Sequence, residues 1–114
     1  MYTIYEQVKP VDEIESILKN KPDYYFTEEE LKLVENKNWI KSLGARYMIK
    51  KYILDLLNLD DNYSQILIKN NSDGKPVIGF LGIVKRKIEE KGIVNTQISI
   101  SHSKNFVATL VITE

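Results

Sequence analysis

The chain has 114 residues, the length of one domain with a small buried core. Its 16 basic side chains balance 16 acidic ones, so no global field draws it to nucleic acid or to an anionic membrane. It has no cysteine, which excludes disulfides, thiolate metal sites and a cysteine nucleophile. No apolar run approaches the ~20 residues that span a bilayer, and no signal-length apolar core follows the start. A cytoplasmic protein without membrane or nucleic-acid partners is expected.

Residues 2–8 are rich in strand formers and read as a first strand that Pro10 ends. Val11, Ile14, Ile17 and Leu18 follow at helical spacing, and Lys21-Pro22-Asp23 breaks that helix. Thr27-Glu28-Glu29-Glu30 is a capping box, so a helix is expected over 28–36. Tyr24-Tyr25-Phe26 before it is an aromatic cluster that suits either core packing or stacking on a base. Ser42 is the expected cap of a longer helix reaching about Leu57, with Tyr47, Ile49, Ile53, Leu56 and Leu57 available to the core. Gln65–Lys69 and Pro76–Phe80 read as two strands joined by the turn-rich segment from Asn70 to Pro76. Leu81–Lys91 reads as a helix stopped by Gly92. Ile98 and Ile100 alternate with Ser99 and Ser101, and a second strand runs over Phe106–Ile112. The single histidine, His102, lies where the first of these two strands runs out. The expected domain is α+β, spans residues 1–114, and has an antiparallel sheet packed on helices.

Charge is uneven along the chain. Five bases and no acid lie between Lys37 and Lys51, and Arg46 and Lys50 are i,i+4 neighbours on one helical face. That face suits a phosphate or another acidic partner; a merely solvated helix side explains the same pattern. A nucleic-acid role is disfavoured by zero net charge and the shortness of the stretch. There is no P-loop, dinucleotide-binding glycine motif or nucleophile elbow.

Three ordered segments carry a family likeness: Ala45-Arg46-Tyr47 with Lys50, Asp73-Gly74-Lys75-Pro76, and Ser101-His102-Ser103. Together they resemble the holo-acyl-carrier-protein synthase branch of the 4'-phosphopantetheinyl transferases, along nearly the whole chain from Val11 onward. The resemblance implies the transferase fold of that family and a homotrimer with active sites between subunits. It implies transfer of 4'-phosphopantetheine from coenzyme A, as substrate, to a serine of an apo acyl carrier protein, in fatty acid biosynthesis. It gives catalytic roles to Lys50 and Lys51. It places Arg46, Lys50, Lys75, Ser101, His102 and Ser103 around coenzyme A.

The resemblance also implies magnesium, with Gln7 at one ligand position and Lys51 at the other. Both carry a residue unlike the family's carboxylates. The first helix is acidic (Asp12, Glu13, Glu15), where the family presents arginines to its acidic carrier. The alternative expectation is therefore a catalytically degenerate relative that binds coenzyme A, a carrier protein or a sister subunit.

Overall fold

The computed structural model describes residues 2–19, 22–32 and 39–114. Strand β1 (Thr3–Pro10) leads directly into helix α1 (Val11–Leu18), followed by the short α2 (Pro22–Tyr25) and α3 (Glu28–Lys32). Helix α4 (Trp39–Leu56) is the longest element, and a single 3-10 turn, Tyr63–Gln65, leads into β2 (Ile66–Asn70) and β3 (Pro76–Phe80). Helix α5 (Gly82–Glu90) connects to the hairpin of β4 (Thr96–His102) and β5 (Phe106–Thr113).

The strands form two antiparallel sheets, one of order β1-β5-β4 and a two-stranded β2-β3 hairpin. Gln7 pairs with Thr109, and Ile100 pairs with Thr109 from the other side, so all three lie on one face. On that face Val107, Thr109 and Val111 of β5 are buried, and Tyr5 of β1 stacks on Tyr52 of α4 with ring centroids 4.0 Å apart. On the opposite face Ile4 and Val8 are 62% and 65% exposed, beside half-buried Leu110 and Ile112.

Helix α4 forms the centre of the domain. Every residue from Leu43 to Lys50 is buried, so this stretch of the helix is enclosed on all sides rather than amphipathic. Gly44 permits the closest approach. A Cβ built there would lie 2.5 Å from Cγ2 of Ile14 on α1.

Several boundaries depart from the sequence-based expectations for identifiable reasons. Pro22 begins a short helix rather than only breaking one, because a proline at the first helical position gives up an amide that has no partner there. The helix after Thr27 is described to Lys32, and its expected continuation to 36 lies outside the described residues. Helix α4 already runs at Trp39, so Ser42 is an interior residue and not a cap. Its hydroxyl instead accepts from Arg46 Nη1 at 2.8 Å. Gly92 has φ 75°, the expected left-handed helix stop.

Replacing Gly44 by Ala should destabilise the fold by about 1–3 kcal/mol, the cost of overpacking a filled site. The colliding atom belongs to a β-branched side chain with a stiff χ1 and cannot swing away. Urea denaturation checks this; an unchanged midpoint would show that α1 and α4 are not closely packed.

Candidate functional site

The capping box of α3 forms as expected: the Glu30 amide donates to Thr27 Oγ1 at 3.2 Å, and the Thr27 amide donates to Glu30 Oε1 at 3.1 Å. The same carboxylate has further partners. Lys50 Nζ donates to Glu30 Oε1 at 2.5 Å, with both side chains fully buried. Lys50 also donates to the carbonyl oxygens of Tyr25 (2.9 Å) and Tyr63 (3.1 Å), and its ammonium lies 5.4 Å from the centre of the Phe26 ring. An ammonium has three N–H donors, and all three are used.

Arg46, one turn earlier and 3% exposed, turns the same way. Its Nε donates to the Ile68 carbonyl at 3.2 Å, and its Nη1 donates to Ser42. Glu30 Oε2 accepts from the Ile68 amide at 3.2 Å. The two side chains thus satisfy both backbone groups of Ile68 on the side of β2 away from β3, where another strand would otherwise pair. They fasten the β2-β3 hairpin to α3 and α4.

Burial lowers the pKa of both bases, and the Glu30 charge opposes that shift. Tyr25, Tyr47 and Tyr63 pack edge-on or stacked around this cluster, and burial pushes the Tyr63 and Tyr47 hydroxyls above their ordinary range. The expectation that Arg46 and Lys50 present a basic face to an acidic ligand is therefore corrected. That face is interior: all three Lys50 donors, and the Nε and Nη1 of Arg46, are used by the protein itself.

The hairpin held in this way carries Lys75 to the edge of a cleft of about 660 Å³ between β3 and β4, large enough for a small-molecule ligand. Lys75, Pro76 and Val77 line one wall, and Thr96, Gln97 and Ser99 line the other. Asn71 shapes the hairpin turn: its Oδ1 accepts from the amides of Asp73 (2.9 Å) and Lys75 (3.0 Å). Asn71, Gln97 and Ser99 were not singled out from the sequence; an asparagine opening Asn-Ser-Asp-Gly was the available signal for the first.

Ser101 lies in a different, shallower groove of about 270 Å³ on the outer face of the larger sheet, with Glu6, Gln7, Val8, Ser99, Ala108 and Leu110. His102 and Ser103 are exposed at the β4-β5 turn. The Ser103 amide donates to the Phe106 carbonyl at 2.9 Å, and the Asn105 carbonyl accepts from the Val11 amide at 2.9 Å, fixing the turn to the start of α1. Among the described residues, Lys75 and the Ser101–Ser103 segment do not share a cavity within one chain; Ser99 is the link between the two.

Gln7 and Lys51 occupy the two positions at which magnesium is expected. Gln7 Oε1 is the one buried side-chain oxygen or nitrogen without a hydrogen-bond partner among the described residues. Lys51 Nζ donates to Asp55 Oδ1 at 2.9 Å, with both groups about half exposed; that hydrogen bond raises the lysine pKa. A hard divalent cation needs several oxygen ligands, usually with carboxylates among them. No group of three or more His, Asp or Glu side chains suited to a metal occurs among the described residues. One amide oxygen at the first position and an ammonium at the second do not fit magnesium.

No protein-family model matches the chain. A holo-acyl-carrier-protein synthase of Dehalococcoides mccartyi is 31% identical over 91 residues, covering 78% of this chain and 75% of that protein. The crystal structure of the holo-acyl-carrier-protein synthase from Plasmodium yoelii is similar with a TM-score of 0.72 and 27% identity, over 99% of this chain and 96% of that one. The Helicobacter pylori synthase, whose structure is a complex with coenzyme A, agrees in fold with a TM-score of 0.77 at 20% identity, over 98% and 100% of the two chains.

Glu30→Ala should cost about 3–5 kcal/mol, because it leaves a buried, uncompensated lysine charge and orphans the Ile68 amide. Chemical denaturation measures the loss. A loss below about 1 kcal/mol, typical of a surface pair, would mean that the pair is solvated.

Proposed function

This chain belongs to the holo-acyl-carrier-protein synthase family, and from that premise we propose that it transfers 4'-phosphopantetheine from coenzyme A to a serine of an apo acyl carrier protein. In this reaction the serine Oγ bonds to the phosphorus that carries the pantetheine. The bond from that phosphorus to the bridging pyrophosphate oxygen breaks, 3',5'-ADP leaves with the electron pair, and the hydroxyl proton passes to solvent. The observation that carries the reading is the cleft between the Gly74-Lys75-Pro76 hairpin and β4. A lysine stands there at the mouth of a pocket otherwise lined by small polar and apolar groups, which suits an anionic ligand with a flat base.

In this reading Lys75 meets a coenzyme A phosphate, and Ser101, His102 and Ser103 line the nucleotide pocket. Arg46 and Lys50 act through the hairpin they hold, as positioning residues. Because Lys75 and Ser101 lie in separate depressions of one chain, we assign the complete pocket to two copies, with the homotrimer as the working assembly. The face that supports this is the outer side of the β1-β5-β4 sheet. There Ile4, Val8 and Phe106 are exposed beside Leu110 and Ile112, with one acid, Glu6, between Ile4 and Val8, a largely apolar patch of the kind that marks an interface. We place the reaction in the cytoplasm, as a step of fatty acid biosynthesis.

A second reading is favoured by one specific observation, the misfit of magnesium at Gln7 and Lys51. It makes the chain a relative that binds coenzyme A, a carrier or a sister subunit without transferring. Exposed Asp12 and Glu13 on α1 would repel an acidic carrier at that surface, which points the same way.

Incubating an apo carrier with coenzyme A and this protein, then weighing the carrier by mass spectrometry, separates the two readings. The first expects the mass gain of one phosphopantetheine; coenzyme A binding with no mass gain on any carrier supports the second. Lys75→Ala should weaken coenzyme A binding about tenfold, since a charged hydrogen bond contributes about 1.5–3 kcal/mol. Unchanged affinity in calorimetry would move coenzyme A out of this cleft. Val8→Glu should dissociate the trimer in light scattering at micromolar protein; a wild type that is already monomeric would remove the two-copy pocket.

A further inference from the structure

The two positions that differ most from the family expectation lie in one region of the fold. Gln7 is two residues from Tyr5 on the same face of β1, and Lys51 immediately precedes Tyr52 on α4. The Tyr5 and Tyr52 rings stack at 4.0 Å with 6° between their planes, joining the two segments. Gln7 offers a divalent cation one neutral oxygen, its Oε1, which has no hydrogen-bond partner among the described residues. The carboxylate one turn further along α4, Asp55, is already held by Lys51 at 2.9 Å. Lys51 repels a divalent ion and attracts a phosphate. Its pair with Asp55 is solvated, hence weak and exchangeable, and it uses one of three ammonium donors.

We propose that the Lys51 ammonium takes the place of the divalent cation against the pyrophosphate of coenzyme A, so that this chain binds coenzyme A without a metal. The inference rests on the coenzyme A reading above and adds the charge that accompanies it. Lys50, the neighbouring base, is not a substitute, because its ammonium is enclosed by Glu30 and two carbonyls. Lys51 is the base on this turn of α4 whose side chain reaches solvent.

The test uses two measurements on the full chain. Manganese binding, with Mn2+ alone as the probe, is read by electron paramagnetic resonance; coenzyme A binding is read by calorimetry in EDTA and in magnesium. The wild type should show no stoichiometric manganese site, and its coenzyme A affinity should differ by less than about twofold between the two buffers. Lys51→Met should weaken coenzyme A about tenfold or more in both buffers. Its thermal midpoint should stay unchanged, since the side chain is on the surface. Lys51→Glu combined with Gln7→Asp should gain one manganese site and make coenzyme A binding depend on magnesium.

A stoichiometric manganese site in the wild type overturns the inference and leaves the coenzyme A reading standing. So does a tightening of coenzyme A by magnesium of more than about tenfold, or unchanged affinity in Lys51→Met. Failure of the double variant to gain a manganese site also counts against it, because the two side chains would then not converge. Absence of coenzyme A binding in both buffers removes the coenzyme A reading itself, and this inference with it.

Discussion

The domain depends on one buried electrostatic cluster. Glu30, Arg46 and Lys50 sit where α3, α4 and β2 meet. Lys50 and Glu30 neutralise each other, and Glu30 and Arg46 take the amide and the carbonyl of Ile68. Such a cluster gains little net stability over an apolar core, because desolvating the charges offsets their attraction. Its contribution is specificity of placement. The two-stranded hairpin is too small to be stable alone, and it has one defined position against α4 because Ile68 finds both its partners there. The cleft wall formed by Lys75, Pro76 and Val77 inherits that position.

Interior use of these bases changes which residues are available for a ligand. A helix whose buried positions run without a break from Leu43 to Lys50 has no basic face to offer along that stretch. Lys75 on the hairpin and Lys51 at the next helical turn are exposed bases at its margins. Lys75 lines the cleft between β3 and β4, and Lys51 is not among the residues that line it.

Local signals in the sequence were strong where the chemistry is local. The Thr27–Glu30 capping box, the Asn71–Pro76 turn, the Gly92 stop and the Ile98/Ile100 alternation each need only a few neighbouring residues, and each formed where expected. The second role of Glu30 was not legible, because its partners lie 20 and 38 residues further along the chain. The sequence pattern points to Arg46 and Lys50 as surface groups because bases seldom lie inside a protein. A signal to the contrary was present: apolar residues at 43, 45, 47, 48, 49, 53 and 54 surround the whole helix and leave no outer side for 46 and 50. The orientation of β1 was also hidden. Ile4 and Val8 face outward while Tyr5 and Gln7 face the helices, because the strand alternates and neither set is uniformly apolar.

Lysine reactivity tests the architectural reading of the basic helix most directly. A short exposure of the native protein to an amine-acylating reagent, read by peptide mass spectrometry, compares Lys50, Lys51 and Lys75 in one sample. Lys50 should remain unmodified until the protein unfolds, with or without coenzyme A, while Lys51 and Lys75 react at the rate of ordinary surface lysines. Modification of Lys50 as fast as Lys51, with protection on adding coenzyme A, would contradict the account and return Lys50 to the ligand site.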